Sequence, residues 1–302
     1  MNTRRQLLGA GMQLALAACA GGFARTALAA GIKATELTPG MWLLDGAGCN
    51  VIAVKGQAGS LLVDGGYAKQ SQALLAAAAK ATGNSRVDTL INTHWHPAQT
   101  GSNEAIERAG GRIIAHEVTR LYLARPVTSV DYAGSYGPLA KEGRPTQTTR
   151  TTGSLQFAGQ QVQYGYLPAA HTNGDLYIHF PAANLIVAGG PVQSQAWPLL
   201  DYRNGAWLGG LVRAHEKLAA LVRPDTRVIP ANGPPITGEA LQRQYQIFAA
   251  FHEKMVVFQN KGYDAGDCIA ARPLQDFEAQ YGDAAKFVSG AFHSLNLAYS
   301  PD

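Results

Sequence analysis

The apolar run Val87–Asn92 empties directly into Thr93-His94-Trp95-His96-Pro97-Ala98-Gln99-Thr100-Gly101, and this junction constrains the fold more than any other feature of the chain. Val87, Leu90 and Ile91 mark a buried strand. Two histidines two residues apart on the loop leaving that strand can chelate one ion, because divalent zinc accepts neutral imidazole nitrogens and three such ligands leave a position for water. The third ligand has to come from elsewhere in the chain. His171, in the turn Ala170-His171-Thr172-Asn173-Gly174-Asp175 between two strand-like runs, is the candidate. The other five histidines (His116, His179, His215, His252 and His293) have no ligand spacing and read as surface or core residues, with His116 nearest the motif.

The rest of the chain divides into two similar halves. Short apolar strands come first, at Met41–Leu44, Asn50–Val54 and Ser60–Val63, and the third ends in Asp64-Gly65-Gly66. A helix is expected over Lys69–Ala81, stopped by Gly83, then the strand Val87–Asn92, a short helix Asn103–Ala109, a strand Arg112–Ala115 and a further short helix. Residues 124–150 are polar, rich in Pro, Gly and Thr, and read as a long loop of the kind that forms a lid. A second set of strands follows at Gly153–Phe157, Gln161–Tyr166, Leu176–Phe180 and Asn184–Ala188, then a helix Leu208–Leu221 and a strand Arg227–Ile229. Thr237 can cap a long helix with Leu241, Tyr245, Phe248, Met255 and Phe258 on its apolar positions and Gly262 at its end. Strand runs followed by helices, twice over, suggest two β-sheets packed face to face with helices outside.

The first residues read as an address. Thr3-Arg4-Arg5-Gln6-Leu7-Leu8 precedes a mildly apolar run and Ala27-Leu28-Ala29, an A-x-A cleavage site, so residues 1–29 are expected to be a twin-arginine-type signal peptide for export to the periplasm. Leu16-Ala17-Ala18-Cys19 resembles a lipobox, which leaves a lipid anchor on Cys19, and a membrane-anchored lipoprotein, as the alternative. The run is too short for a transmembrane helix. Residues 30–302 then form a single domain with a helical C-terminal extension. The signal carries three arginines and no acids, so its removal takes the formal charge from +4 to +1. A nearly neutral chain offers no electrostatic footprint for nucleic acid or a membrane surface, and a small-molecule substrate is the expected partner. Cys49 and Cys268 either pair or stay as two buried thiols.

Five segments in order, spread over residues 41–236, resemble the metallo-β-lactamase-fold superfamily. Leu61-Leu62-Val63-Asp64-Gly65 resembles its strand ending in Asp, residues 93–101 its T-H-x-H-x-D-H-x-G, and residues 171–175 its H-T-x-G-D. Leu185-Ile186-Val187-Ala188-Gly189-Gly190 resembles the strand ending in G-D, and Ile229-Pro230-Ala231-Asn232-Gly233 the P-G-H-G segment. The resemblance implies an α+β fold, a four-layer αββα sandwich. It also implies that His94, His96 and His171 hold one zinc ion. The second ion of the family would use the positions of Ala98, Gln99, Asn232 and Gly190, none of which is ionisable here, so a second ion is expected to be absent or weak. Three imidazoles leave the full +2 charge on zinc and favour an acidified water, with a pKa of about 7 in such sites. The missing piece is a carboxylate at Ala98 to hold that water, and loss of a positioned base costs about 10² to 10⁴ in rate.

Two functions remain open on these residues. One is a periplasmic mononuclear zinc hydrolase acting on an ester, lactone, amide or related bond, with Gln99 and Asn232 as catalytic hydrogen-bonding groups. The other is a degenerate, non-catalytic member that binds a small molecule or a partner. Asp64 and Asp175 are expected behind the ligands, orienting a histidine or holding a turn. Trp95 is expected at the pocket rim. Trp197 and Trp207 are expected in the core or in the pocket wall, and substrate specificity in residues 124–150 and around Gln193–Trp207.

Overall fold

Short, near-continuous apolar strands decide the architecture. In the computed structural model, which describes residues 31–130 and 132–299, the chain from Gly31 onward is one unit built on two sheets. The segment 1–29 expected to be a signal peptide, Cys19 included, lies outside the described residues. The first sheet has β1 (Lys33–Thr38), β2 (Met41–Asp45), β3 (Val51–Lys55), β4 (Ser60–Val63), β5 (Val87–Ile91), β6 (Arg112–His116) and β7 (Gln147–Thr149), side by side in that order. The second has β8 (Thr152–Phe157), β9 (Gln160–Leu167), β10 (Asp175–Phe180), β11 (Leu185–Gly189), β12 (Arg227–Pro230) and β13 (Ile236–Thr237), again in sequence order. Helices α1 (Ser71–Thr82), α2 (Pro97–Thr100), α3 (Asn103–Arg108) and α4 (Glu117–Leu123) belong to the first half. Helices α5 (Leu208–Ala219), α6 (Gly238–Asn260), α7 (Ala265–Ala270), α8 (Glu278–Tyr281) and α9 (Ala285–Tyr299) belong to the second.

Successive residues of a strand point to opposite faces, and here both faces are apolar. Ile52 and Val54 of β3 share the inter-sheet core with Leu185 and Val187 of β11, while Val51 and Ala53 pack with Leu74 and Ala78 of α1. On the far side, Ile186, Ala188 and Val228 meet Ala214 and Leu218 of α5 and Leu241 of α6. The layers are therefore helix, sheet, sheet, helix, the expected α+β sandwich. A further core lies among α5, α6, α7 and α9, around Phe248, Phe251, Met255, Phe287 and Leu295. Among the described residues no helix is long and apolar enough to cross a membrane.

Most expected elements are present, with shifts that have local causes. The helix expected at Lys69 begins as a 3₁₀ turn over Ala68–Gln70 and becomes α1 at Ser71; Gly83, at φ 74°, closes it in the left-handed conformation that glycine adopts freely. Thr237 caps α6, its hydroxyl accepting from the Ala240 N–H at 3.1 Å. Gln244 rather than Tyr245 takes the buried position, donating to the Gln193 carbonyl at 2.7 Å. Three strands were not foreseen, among them the two-residue β13. β1 is an edge strand with exposed faces, so it carries no apolar alternation, and β7 (Gln-Thr-Thr) is a three-residue strand that lies inside the expected loop 124–150. Cys49 and Cys268 are both free and buried, in different apolar clusters.

Parallel pairing of β4, β5 and β6, and of β11 with β12, sends their carboxyl ends the same way within each sheet. The histidine loop leaves β5, Asp64 leaves β4, Gly190 leaves β11, and Asn232 follows β12. Phe180 is fully buried between the sheets. Phe180→Ala is expected to cost about 3–5 kcal/mol of stability, read as a lower urea midpoint with secondary structure retained below it.

Candidate metal centre

The loop carrying His94 and His96 is pinned from beneath. Asp64 accepts the Thr93 backbone N–H at 2.7 Å on one oxygen and the Thr93 hydroxyl at 2.8 Å on the other. Gly101 passes so close to the Gly66–Ala68 backbone that a Cβ there would lie 2.1 Å from the Ala68 nitrogen, and its N–H bonds the Gly66 carbonyl at 2.9 Å. Glycine is the residue that permits this approach. On the opposite sheet, Asp175 opens β10 and accepts from the backbone N–H groups of His171 (2.7 Å) and Thr172 (2.8 Å) and from the Thr172 hydroxyl (2.8 Å). The two expected supporting acids thus hold the two ligand-bearing loops.

His94, His96 and His171 converge. Their ring centroids form a near-equilateral triangle with sides of 4.8, 4.7 and 4.8 Å, and each pair of rings stands close to perpendicular, at 78°, 83° and 80°. All three are buried, and one nitrogen from each lies within 4.8 Å of the other two. The remaining ring nitrogens are occupied. His171 Nδ1 is 2.7 Å from the Leu199 carbonyl, which only accepts, so Nδ1 carries the proton and Nε2 keeps its lone pair. His96 Nε2 is 3.1 Å from an Asp201 oxygen, leaving Nδ1 as the inward nitrogen. The Thr93 hydroxyl, committed to Asp64, accepts from His94 Nδ1 at 3.0 Å and leaves Nε2.

This wiring fits a metal ion. The inward nitrogens of His96 and His171 face one another at 3.1 Å. Two lone pairs at that distance repel unless a cation lies against both, and zinc–imidazole bonds of 2.0–2.1 Å in a tetrahedron place nitrogens about 3.3 Å apart. The protonation states agree. Burial holds His94 well below the usual imidazole range, and the neighbouring His171 and His96 add to it. Burial and His96 take His171 down to about 3, against the opposing pull of the Leu199 carbonyl and Asp201. Neutral imidazole is the form that ligates metal. Burial works to raise Asp201, but the hydrogen bond and charge of His96 and the amide of Asn204 outweigh it and hold the carboxyl below its ordinary value. Asp201 is thus an anion backing His96, the carboxylate–histidine arrangement that orients metal ligands. Burial pushes Asp64 up to about 8 and Asp175 up to about 7, against the hydrogen bonds that Thr93 and Thr172 donate to them.

The centre opens into a hollow of about 590 Å³ lined by the three histidines together with Ala98, Gln99, Tyr132, Trp197 and Asn232, among others. Gln99 and Asn232 both lie on the wall of this hollow. Asn232 turns its amide nitrogen toward the carbonyl oxygens of Gly48 and Ala231 at 3.2 and 3.3 Å. Tyr132, from the polar stretch 124–150, and Gln193, Trp197 and Leu199 reach the same hollow. Trp95 corrects the sequence reading. It is fully buried, not at the rim, and its ring packs against Tyr122, Tyr136 and Leu123 behind the histidines. His94 and His96 face the hollow, while the ring between them points to the opposite side, into the core. His116 is also outside the centre, stacked on Tyr166 at 4.1 Å and capping α4. Asp201 escaped the sequence reading. It lies 105 residues from His96 in Leu199-Leu200-Asp201-Tyr202, with no motif around it. Its one signal was an acid set among apolar residues.

The position of the family's bridging carboxylate is closed by shape as well as by chemistry. A Cβ on Gly190 would lie 2.1 Å from Cδ2 of the His171 ring, so the third ligand occupies the space a side chain there would need. Gly190→Ala is expected to displace His171 and abolish tight metal binding, and Asp201→Asn to weaken zinc affinity about 10- to 100-fold. Competition with a chromophoric chelator measures both. Native affinity in Asp201→Asn would remove the orienting role.

Comparison with known proteins agrees with this geometry. Residues 44–233 match the family described as the Metallo-beta-lactamase superfamily. No curated protein sequence matches the chain. Among solved structures, a metallo-beta-lactamase from Pontibacter korlensis aligns with TM-score 0.58 at 19% identity, over 72% of this chain and 99% of that one. The DIM-1 metallo-beta-lactamase aligns with TM-score 0.57 at 16% identity, over 72% and 97%. The stereoselective inverting sec-alkylsulfatase Pisa1 from Pseudomonas sp. aligns with TM-score 0.66 at 15% identity, over 90% of this chain but 52% of its own length, so this chain spans about half of that sulfatase. These neighbours are hydrolases sharing a fold. With the family match covering more than half of the sequence and the histidine centre in place, the chain belongs to the metallo-beta-lactamase superfamily.

Proposed function

We propose that the protein is a zinc-dependent hydrolase with one ion per chain, acting on an ester, lactone, amide or related bond of a small molecule. The observation that carries this reading is the triangle of three imidazoles, each held through its outer nitrogen with its other nitrogen turned inward. His94 Nε2, His96 Nδ1 and His171 Nε2 would hold the ion. When bound, zinc supplies Lewis acidity, polarising a substrate oxygen and lowering the pKa of water to about 7.

The chain's own groups do the rest. Asp201 and the Leu199 carbonyl hold His96 and His171 in the ligating tautomer, so no reorganisation is needed at the moment of reaction. Gln99 and Asn232, on the wall of the hollow, can donate to and accept from a substrate or a water and so orient it. Neither amide can take a proton at neutral pH, and Ala98 has no polar atom on its side chain. Proton transfer then falls to solvent, and turnover is expected to lie about 10² to 10⁴ below that of a site with a positioned base. The missing carboxylate favours a second reading, a non-catalytic member that keeps the pocket for binding.

Metal analysis after zinc loading is expected to give about one ion per chain, dropping sharply in His96→Ala. A panel of esters, lactones and amides is expected to show slow turnover that His96→Ala abolishes. No zinc after loading would end the metal reading. One zinc with no turnover across the panel would leave the binding reading. Export to the periplasm is part of the proposal, supported by Arg4-Arg5 and Ala27-Leu28-Ala29. Replacing both arginines with lysine is expected to hold the precursor in the cytoplasm, and periplasmic recovery of that variant would exclude the twin-arginine route.

A further inference from the structure

A second hollow, of about 440 Å³, lies beside the metal pocket. The two share Ala196, Trp197 and Leu199 as a common wall, and each is bordered on its other side by the same loop, through Tyr132 at the metal pocket and Val130 at the neighbour. The shared wall is rigid. Trp197 stacks on Phe287 with centroids 5.4 Å apart and planes 5° from parallel, leans on Tyr281 at 4.9 Å, and donates its indole N–H to the Gly282 carbonyl at 2.8 Å. The far wall comes from α8 and α9 and their junction, through Tyr281, Phe287 and Gly290, all beyond the stretch 44–233 that matches the family. Asp283, Lys286 and Ser289 also border the hollow, and its aromatic and aliphatic part, formed by Trp197, Leu199, Leu200 and Phe287 beside the histidine centre, suits an apolar group of a small ligand.

We propose that this second hollow is the specificity subsite of the enzyme. It takes the unreactive apolar arm, a medium-length alkyl chain or an aryl ring, of a substrate whose scissile bond lies over the three histidines. This rests on the hydrolase reading above and extends it to a substrate class: esters, thioesters or amides of apolar acids rather than compact polar ones. The C-terminal helices are then part of the binding apparatus, since they supply the wall against which the arm packs.

Gly290 provides the test. A Cβ there meets only the Leu200 Cβ, at 3.9 Å, so a larger side chain can grow into the hollow without a backbone clash. The position lies inside α9, where glycine is the weaker helix former. Zinc-loaded native protein is assayed on p-nitrophenyl esters from acetate to decanoate, and decanoate itself is titrated by calorimetry as a ligand that needs no turnover. The native protein is expected to gain roughly threefold in kcat/KM per added methylene until the hollow is filled, and to bind decanoate. Gly290→Phe is expected to flatten that climb and to weaken decanoate binding at least about tenfold, while its zinc content stays at the native value. A flat native series, or a climb and decanoate affinity that survive in Gly290→Phe, would overturn the subsite. Decanoate binding that Gly290→Phe removes, in a protein that turns over no ester, would support the hollow and refute the hydrolase.

Discussion

Everything at the centre depends on three imidazoles being held with their lone pairs turned inward. Rings buried this closely repel when protonated and repel again when their lone pairs meet, so the arrangement persists only because each outer nitrogen has a fixed partner. The partners differ: a hydroxyl committed to Asp64, the Asp201 carboxylate, and the Leu199 carbonyl. They come from three separate parts of the chain, and the sandwich is the device that brings them together. Parallel pairing delivers the His94–His96 loop and Asp64 to one sheet edge, while Asp175 anchors the His171 turn at the start of β10 on the other sheet.

The departures from the family pattern are concentrated and physically consistent. Alanine at 98 and glycine at 190 remove donor atoms, and the latter also makes room for the His171 ring. The pocket keeps amides at Gln99 and Asn232 where charge would be needed to hold another dication. A cavity of that composition orders neutral polar groups well and stabilises added positive charge poorly.

Much of this was legible in the sequence, for definable reasons. The apolar runs of β3, β4 and β11 are conspicuous because both faces are covered, and the ligand histidines stand at strand ends where motif spacing is short and local. What escaped was non-local or weakly patterned. Asp201 acts across 105 residues and has no neighbouring motif. β1 and β7 lack alternation because their faces are exposed or polar. Trp95 was misplaced because the backbone turn after β5 decides which side of the loop each residue takes, and spacing alone does not carry that. The second hollow was invisible because α8 and α9 become walls only once they fold back on Trp197.

Asp201 also has a mechanical consequence. Besides backing His96, its backbone N–H reaches the His171 carbonyl at 3.1 Å, its other oxygen accepts from Val130 N–H at 3.4 Å, and Asn204 joins it at 2.8 Å while bonding the Thr128 carbonyl at 2.8 Å. One residue, through its carboxylate and its backbone N–H, thus ties two of the histidines to both segments that border the cleft. The segments that border the cleft and the loops that aim the rings are therefore tied together at a single residue.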